Sequence, residues 1–264
     1  MLHSAGGTIG LTIRVNVIAW SEKYNGLVTA QPPVWSDTSF VDLVRRHPPL
    51  HAMRRYLEVP AGFAGQREIQ TLQSSYAARG YGSVFYALAR VLRPLTAVEI
   101  GVLQGFSLLS VAAALRDNAG GHITACDLFE AYPYRHADRN QVSRQMTALG
   151  LQSWVTLDVG DVHEIHERWD AVDYLHVDVS NTGDTYRRIF GNWSTKVRQV
   201  IVLEGGSAER DSVAWMRQFG KPPIVPAVHE LQRAYPQWTF TVLRPFPSMT
   251  IACNRAAIAA ATDA

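Results

Sequence analysis

The sequence predicts an α/β domain with a largely parallel sheet, preceded by an N-terminal extension. From Thr96 onward, short apolar runs alternate with segments of helical periodicity. This alternation is typical of parallel strands joined by right-handed crossovers. Residues 238–254 then form two more apolar runs separated by a proline-containing turn, which predicts two final strands. The five strands predicted before them lie at 96–100, 122–126, 154–158, 172–177 and 199–203.

The residues before the sheet have a different character. Residues 8–18 alternate apolar and polar side chains, which indicates a strand, or one arm of a hairpin closed by Tyr24 to Gly26. We predict that residues 1–66 form the extension and residues 67–264 the main domain. The extension is expected to cover a substrate or to contact a second copy in a homodimer. Helices are predicted at 36–46, at 51–57 and over 67–92, the last broken around Gly80 to Gly82.

Composition limits the class of partner and the compartment. Among the 264 residues, Lys plus Arg number 25 and Asp plus Glu 23, so nucleic acid is a weak candidate partner. No apolar run approaches the roughly 20 residues that span a bilayer, and the start lacks the pattern of a secretory signal, so we expect a cytoplasmic protein with no membrane partner. Cys126 and Cys253 fall in predicted core strands without CxxC spacing, which indicates buried free thiols.

The segment AVEIGVLQGFS, residues 97–107, predicts a ligand-binding turn. An apolar strand leads into Gly101 and Gly105, which allow close backbone approach, and Ser107 stands where a helix N-cap is expected. Glu99 precedes the turn, where its charge opposes a pyrophosphate but suits a cationic or hydroxyl-rich ligand such as S-adenosylmethionine (SAM). The next strand ends in Asp127, placed to accept hydrogen bonds from both hydroxyls of a ribose.

A third strand end carries Asp161, directly after Gly160. Its carboxylate could accept a hydrogen bond from an adenine amino group, while the backbone N–H of Val162 bonds a ring nitrogen. The alternative is a helix N-cap for the residues that follow. His163 and His166 lie three apart, but no third ligand stands nearby in sequence, so solvated or capping histidines are favoured over a metal pair.

Together these motifs resemble the class I SAM-dependent methyltransferases. The resemblance rests on ExGxxxGxS at Glu99 to Ser107, on Asp127 and on VGDVHE at residues 159–164, and it covers about residues 75–254. It implies a Rossmann-like sheet that ends in an antiparallel hairpin. Within the class, the segment LHVDVSNTGDTY at residues 175–186 is most similar to bacterial small-molecule O-methyltransferases. Many of these relatives carry Asp-x-Asp-His there, whereas this chain has Asp178, Val179, Ser180 and Asn181.

Two acidic residues end the fourth and fifth strands, where ligands bind in open α/β sheets. Asp178 is the predicted catalytic residue, and His176, two residues earlier on the same strand face, is either a second base or a packed strand histidine. Asp178 and Glu204 could share Mg²⁺, which prefers oxygen ligands. The resemblance supports this weakly, because metal-dependent relatives usually have Asp, often followed by Asn, at Glu204 and Gly205. The alternative is that Glu204 pairs with a surface arginine such as Arg210.

The resemblance implies SAM-dependent O-methylation of a small metabolite, of the sugar or polyketide type used in secondary metabolism. Two alternatives stay open. An NAD-dependent oxidoreductase could also use Asp127, although GVLQGF differs from GxGxxG. A non-catalytic SAM-binding scaffold would explain the missing Asp-x-Asp-His histidine. Further candidates for the pocket, the cover or a base are Trp20, Tyr24, Trp35, Tyr132, Tyr134, Arg135, His136 and His229.

Overall fold

Seven strands form one sheet in the computed structural model. The structure describes residues 32–57, 62–133 and 137–260, with only the backbone described at residues 259 and 260. The strand order is β3-β2-β1-β4-β5-β7-β6. Strands β1 to β5 pair in parallel, and β7 pairs antiparallel with both β5 and β6. The predicted parallel sheet with a C-terminal antiparallel hairpin is confirmed. The strands are β1 (Thr96–Ile100), β2 (His122–Asp127), β3 (Val155–Val159), β4 (Val172–Val177), β5 (Val197–Glu204), β6 (Trp238–Leu243) and β7 (Met249–Asn254).

Helices cover the two faces of this sheet, and two buried apolar clusters fill the space between the layers. The α-helices are α1 (Thr38–Arg46), α2 (Arg54–Leu57), α3 (Gln66–Gln70), α4 (Tyr81–Leu92), α5 (Phe106–Asp117), α6 (Arg139–Ala148), α7 (Gly183–Trp193), α8 (Ala208–Asp211), α9 (Ala214–Gln218), α10 (Ile224–Ala234) and α11 (Arg255–Ala260). Short 3-10 helices lie at Val34–Ser36, Pro48–Met53, Ala77–Arg79, Phe129–Ala131, Gln152–Trp154 and Ile165–Arg168. Within the described ranges, no helix is both long and apolar enough to cross a membrane.

The part of the extension that the structure describes packs into the main core. Helix α1 begins where the Asp37 side chain accepts a hydrogen bond from the Ser39 N–H at 2.8 Å, and it ends before Pro48, as its sequence predicts. Its residues Phe40 and Leu43 are buried in the same apolar cluster as α4. Residues from Pro32 onward therefore belong to one compact unit. The strand predicted at 8–18, its hairpin, Trp20 and Tyr24 lie outside the described residues, as do Tyr134, Arg135 and His136.

The sheet order creates the crevice that the sequence predicts. From β1 the chain continues to β2 and β3 on one side and then crosses to β4 and β5 on the other. In such sheets ligands bind beyond the carboxyl ends of the strands, at this switch point. Gly101 lies there with φ 91°, and a Cβ on it would come within 2.0 Å of the Asp178 carbonyl oxygen. Only glycine fits between the ends of β1 and β4.

Candidate active site

A cavity of about 550 Å³ opens at the carboxyl ends of β1 to β4. This volume is in the usual range for small-molecule sites. The cavity contains most of the residues that the sequence singles out, namely Gly101, Ser107, Asp127, Asp161, Val162 and Asp178. Glu99, Gly105, His176 and Glu204 do not line it. Its walls are residues 73–76, 100–104, 106–107, 126–128, 132, 137, 160–163, 178–180 and 185.

Asp127 connects the end of β2 to the glycine turn. Its Oδ2 accepts a hydrogen bond from the Val102 N–H at 2.7 Å, and its Oδ1 accepts one from the Phe129 N–H at 2.8 Å. These bonds fix the orientation of the carboxylate. Each oxygen keeps a second lone pair, so the half-buried group can still accept hydrogen bonds from a ligand in the cavity.

Glu99 supports the glycine turn from behind the cavity wall. Helix α5 begins at Phe106 after Gly105, so Ser107 is a residue of its first turn and not the predicted N-cap. The Ser107 hydroxyl donates to Glu99 Oε1 at 2.9 Å. The Glu99 side chain is completely buried and does not line the cavity, whereas Ser107, which it orients, does. The predicted contact of Glu99 with the cofactor stays a prediction.

His176 is likewise buried under the cavity and does not line it. Its Nδ1 lies 3.1 Å from Glu99 Oε2, and its ring centroid lies 4.9 Å from that of Phe85. Its burial favours this packing role over a base that contacts a substrate, and the role of His176 as a base stays a prediction. The alternative of a packed strand histidine describes it, since alternation along β4 directs its side chain into the helix layer.

Asp161 and its neighbours form the wall opposite Asp178. Asp161 Oδ1 accepts a hydrogen bond from the His163 N–H at 2.8 Å, a local turn rather than the N-cap of a regular α-helix. His166 points elsewhere, with Nδ1 3.4 Å from the Asn192 carboxamide nitrogen. Across the described ranges, no group of three or more His, Cys, Asp or Glu side chains is arranged to hold a metal ion.

Asp178 is the carboxylate at the β4 end of the cavity. Burial raises its pKa to about 6, and the nearby negative charge of Glu99 acts in the same direction. His176, Arg210 and the Tyr76 hydroxyl oppose the rise in this pKa. A carboxyl group with a pKa near neutrality can accept a proton from a bound ligand and still be ionised at pH 7.

Glu204 and Arg210 form a buried ion pair beside this carboxylate. Arg210 donates from Nε to Glu204 Oε1 and from Nη2 to Oε2, the second at 2.9 Å. Only 7% of Glu204 and 5% of Arg210 is exposed. Burial raises the pKa of Glu204 to about 7, with Arg210 opposing and Asp178 adding to the rise. The predicted Mg²⁺ ligand therefore holds the arginine that the sequence offers as its alternative partner.

The structure adds wall residues that sequence reasoning did not single out. Tyr76 and Gln73 come from the segment between α3 and α4, and Thr185 comes from α7. The Gln73 N–H donates to Gln104 Oε1 at 2.6 Å, which joins this segment to the glycine turn. Tyr76 fits the helical periodicity as an apolar position, so no sequence signal marks its hydroxyl as part of a site. Tyr132, a predicted candidate, does line the cavity.

Comparison with known proteins agrees with this architecture. Residues 98–203, which include α5, β2, β3, β4 and most of β1 and β5, match a family described as a methyltransferase domain. Residues 98–203 are therefore similar to a methyltransferase domain. No curated protein matches the chain in sequence.

Solved structures similar to this chain are O-methyltransferases and other methyltransferases, and at their low identity they show the fold alone. One is the O-methyltransferase TomG from Streptomyces achromogenes in complex with SAM, at 19% identity and a TM-score of 0.54, covering 72% of this chain and 86% of that one. Another is an O-methyltransferase from Bacillus cereus in complex with SAH, at 16% identity and a TM-score of 0.55, covering 77% of this chain and 90% of that one. A third is the SAH-bound methyltransferase PaMTH1 from Podospora anserina, at 17% identity and a TM-score of 0.51, covering 94% of this chain and 98% of that one.

The sheet also decides against the dinucleotide alternative. The sheet of a dinucleotide-binding dehydrogenase usually continues with another parallel unit, whereas here β7 lies antiparallel between β5 and β6.

The residues at the ends of β4 and β5 do not fit the predicted Mg²⁺. Both oxygens of Glu204 accept from Arg210, and a guanidinium beside them repels a second cation.

Proposed function

We propose that the chain transfers the methyl group of SAM to an oxygen atom of a small molecule. The observation that carries this proposal is that one cavity joins Asp127, at the glycine turn, to Asp178, at the end of β4. One carboxylate suits the ribose of a nucleoside, and the other has a pKa suited to accepting a proton. The O-methyltransferases with the same fold support oxygen as the accepting atom.

In this arrangement the β1–β2 side of the cavity holds the cofactor. Asp127 would accept hydrogen bonds from the two ribose hydroxyls, and Asp161 would accept one from the adenine amino group, beside the backbone of Val162. Gly101 allows the chain to approach the amino acid part closely, while Gly105 turns the chain into α5, and Ser107, held by Glu99, faces the same region. The resemblance of these motifs to those of class I methyltransferases supports each assignment.

Asp178 then acts at the acceptor. When bound, the SAM sulfonium supplies an activated methyl group, so the protein has to align the nucleophile and exclude water. The acceptor hydroxyl gives its proton to the Asp178 carboxylate as the new O–C bond forms and the C–S bond breaks. The products are the methyl ether, S-adenosylhomocysteine and a proton that Asp178 releases to solvent. No covalent protein intermediate is required.

We further propose a metabolite of the sugar or polyketide type as the acceptor. The support is the similarity of residues 175–186 to bacterial small-molecule O-methyltransferases and a cavity volume in the range usual for small-molecule sites. A thermal-shift panel with SAM, S-adenosylhomocysteine and NAD tests the cofactor, with stabilisation by the first two and not by NAD as the expected result. A screen of hydroxylated metabolites with labelled SAM then tests catalysis. Cofactor binding with no transfer to any acceptor would favour the non-catalytic scaffold.

A further inference from the structure

Arg210 places a permanent positive charge between the ends of β4 and β5. Its guanidinium holds both oxygens of Glu204, and its Nη2 also donates to the Asn181 carbonyl oxygen at 3.4 Å. The carbon of the guanidinium lies 5.0 Å from the centre of the Trp215 ring, a cation–π distance. Helix α8 holds the arginine in place, because the Ser207 hydroxyl accepts a hydrogen bond from its backbone N–H at 3.3 Å.

The groups around this guanidinium present oxygen atoms. Glu204 contributes a carboxylate, and Asp178 is close enough for its charge to interact with those of both Glu204 and Arg210. The carboxamide of Asn181 is fixed by two hydrogen bonds from Nδ2, to the carbonyl oxygens of Val177 and Glu204, each at 3.0 Å. Its Oδ1 is buried and has no hydrogen-bond partner among the described residues. Carboxylate and carboxamide oxygens are ligands that Mg²⁺ and Mn²⁺ prefer.

We propose that the Arg210 guanidinium takes the place of a divalent cation at these strand ends, so that the chain works without metal and Arg210 itself prevents metal binding. The part about catalysis rests on the proposed methyl transfer, whereas the part about metal exclusion does not. A bidentate guanidinium balances the buried carboxylates as a cation would, but it is covalently part of the chain and always charged. Removing it leaves buried carboxylates that lack a counter-ion.

The test measures Mn²⁺ binding by calorimetry in the full chain. We expect the parent to bind no Mn²⁺ and its methyl transfer to be unchanged by a chelator. Arg210→Met, which keeps an unbranched side chain but removes the guanidinium and its charge, should gain a Mn²⁺ site and a rise in melting temperature with Mn²⁺. The matched double variant Arg210→Met/Glu204→Gln should lose that site. If Arg210→Met does not fold without metal, Arg210→Gln, which can still donate one hydrogen bond to Glu204, takes its place.

Each result decides the proposal. Mn²⁺ binding by the parent that Glu204→Gln removes, or a folded charge-removing variant that binds no Mn²⁺, would overturn it. Loss of parent activity on chelation would overturn the catalytic part. A parent that shows no methyl transfer while Arg210→Met gains Mn²⁺ would refute the proposed function but leave metal exclusion by Arg210 intact, so the two failures are distinguishable.

Discussion

Asp178 is held by its surroundings in a state that favours proton transfer and costs stability. Buried surroundings raise its pKa to about 6. The folded chain therefore binds this proton more tightly than the unfolded chain, in which an aspartate has a pKa of about 3.9. The stability that the protonated group contributes is fully present below that value and is lost as the pH rises through about 6. Such a loss of stability is common where a residue serves catalysis.

Asp178→Asn should therefore separate activity from stability. We expect methyl transfer to fall roughly 10² to 10⁴-fold, the range usual for a lost acid–base group. The variant should melt at a higher temperature than the parent at pH 8, because it avoids a buried negative charge, and the two should differ little at pH 4. Thermal unfolding across this pH range and initial rates measure both effects. An equal difference in melting temperature at pH 4 and pH 8 would contradict the assigned protonation.

Asp127→Ala should weaken SAM binding by about 2 to 3 kcal/mol, because it removes two ribose hydrogen bonds and leaves buried donors without partners. Calorimetry measures this change. Asp173→Ala is a matched control, since Asp173 accepts hydrogen bonds from the N–H groups of Leu95 and Thr96 at the opposite end of β1. The control should lower thermal stability but leave SAM affinity unchanged. Equal affinities for the parent and a folded Asp127→Ala would show that the cofactor site is misplaced.

On the scale of elements, the segment between α3 and α4 brings the Tyr76 side chain to the cavity that Asp178 also lines. The Tyr76 ring is 1% exposed and is held by Tyr81 and Phe85, with ring centroids 5.3 and 5.4 Å away. Its hydroxyl opposes the rise in the pKa of Asp178, and its own pKa is raised by burial and by the charge of Asp178. This segment therefore helps to set the pKa of the carboxylate by favouring its ionised form.

Tyr76→Phe should move the acidic limb of the kcat–pH profile to higher pH, because the Asp178 carboxylate loses a group that favours its ionised form. Tyr81→Phe is the matched control: its buried hydroxyl donates to the Pro245 carbonyl at 2.7 Å, away from the cavity. We expect that variant to lose stability and to keep the parent profile. The same profile in Tyr76→Phe and the parent would remove Tyr76 from the mechanism.

For the whole molecule, the fold depends on residues that precede the methyltransferase match. Phe40, Leu43, Leu50 and Met53 are buried in the cluster that also contains α4 and α5. Shortening a buried side chain of this kind to alanine lowers the free energy of unfolding by about 2 to 5 kcal/mol. The boundary predicted between residues 66 and 67 therefore marks a change in sequence pattern and does not divide the packed core. The role of the extension as a substrate cover or dimer contact remains a prediction.

Two truncations test this dependence. A chain that starts at Gln66 should lose cooperative unfolding and SAM binding, because its α4 surface is exposed. A chain that starts at Pro32 keeps that packing and should retain both. Denaturant unfolding and S-adenosylhomocysteine titration compare them with the full chain. Cooperative unfolding and full methyl transfer by the shorter chain would refute both the packing argument and the predicted cover.

The sequence by itself determined the strand pattern, the glycine turn and the positions of Asp127, Asp161 and Asp178 at strand ends. These are local features, because apolar runs, glycines and the first polar residue after a strand can be read within a few positions. Tertiary structure decided which of the neighbouring acids and bases reach the cavity. Alternation places His176 and Asp178 on one face, but only the packing of α4 against the sheet buries the first. Likewise, the fold of residues 205–210 delivers Arg210 to Glu204, and no sequence period specifies that contact.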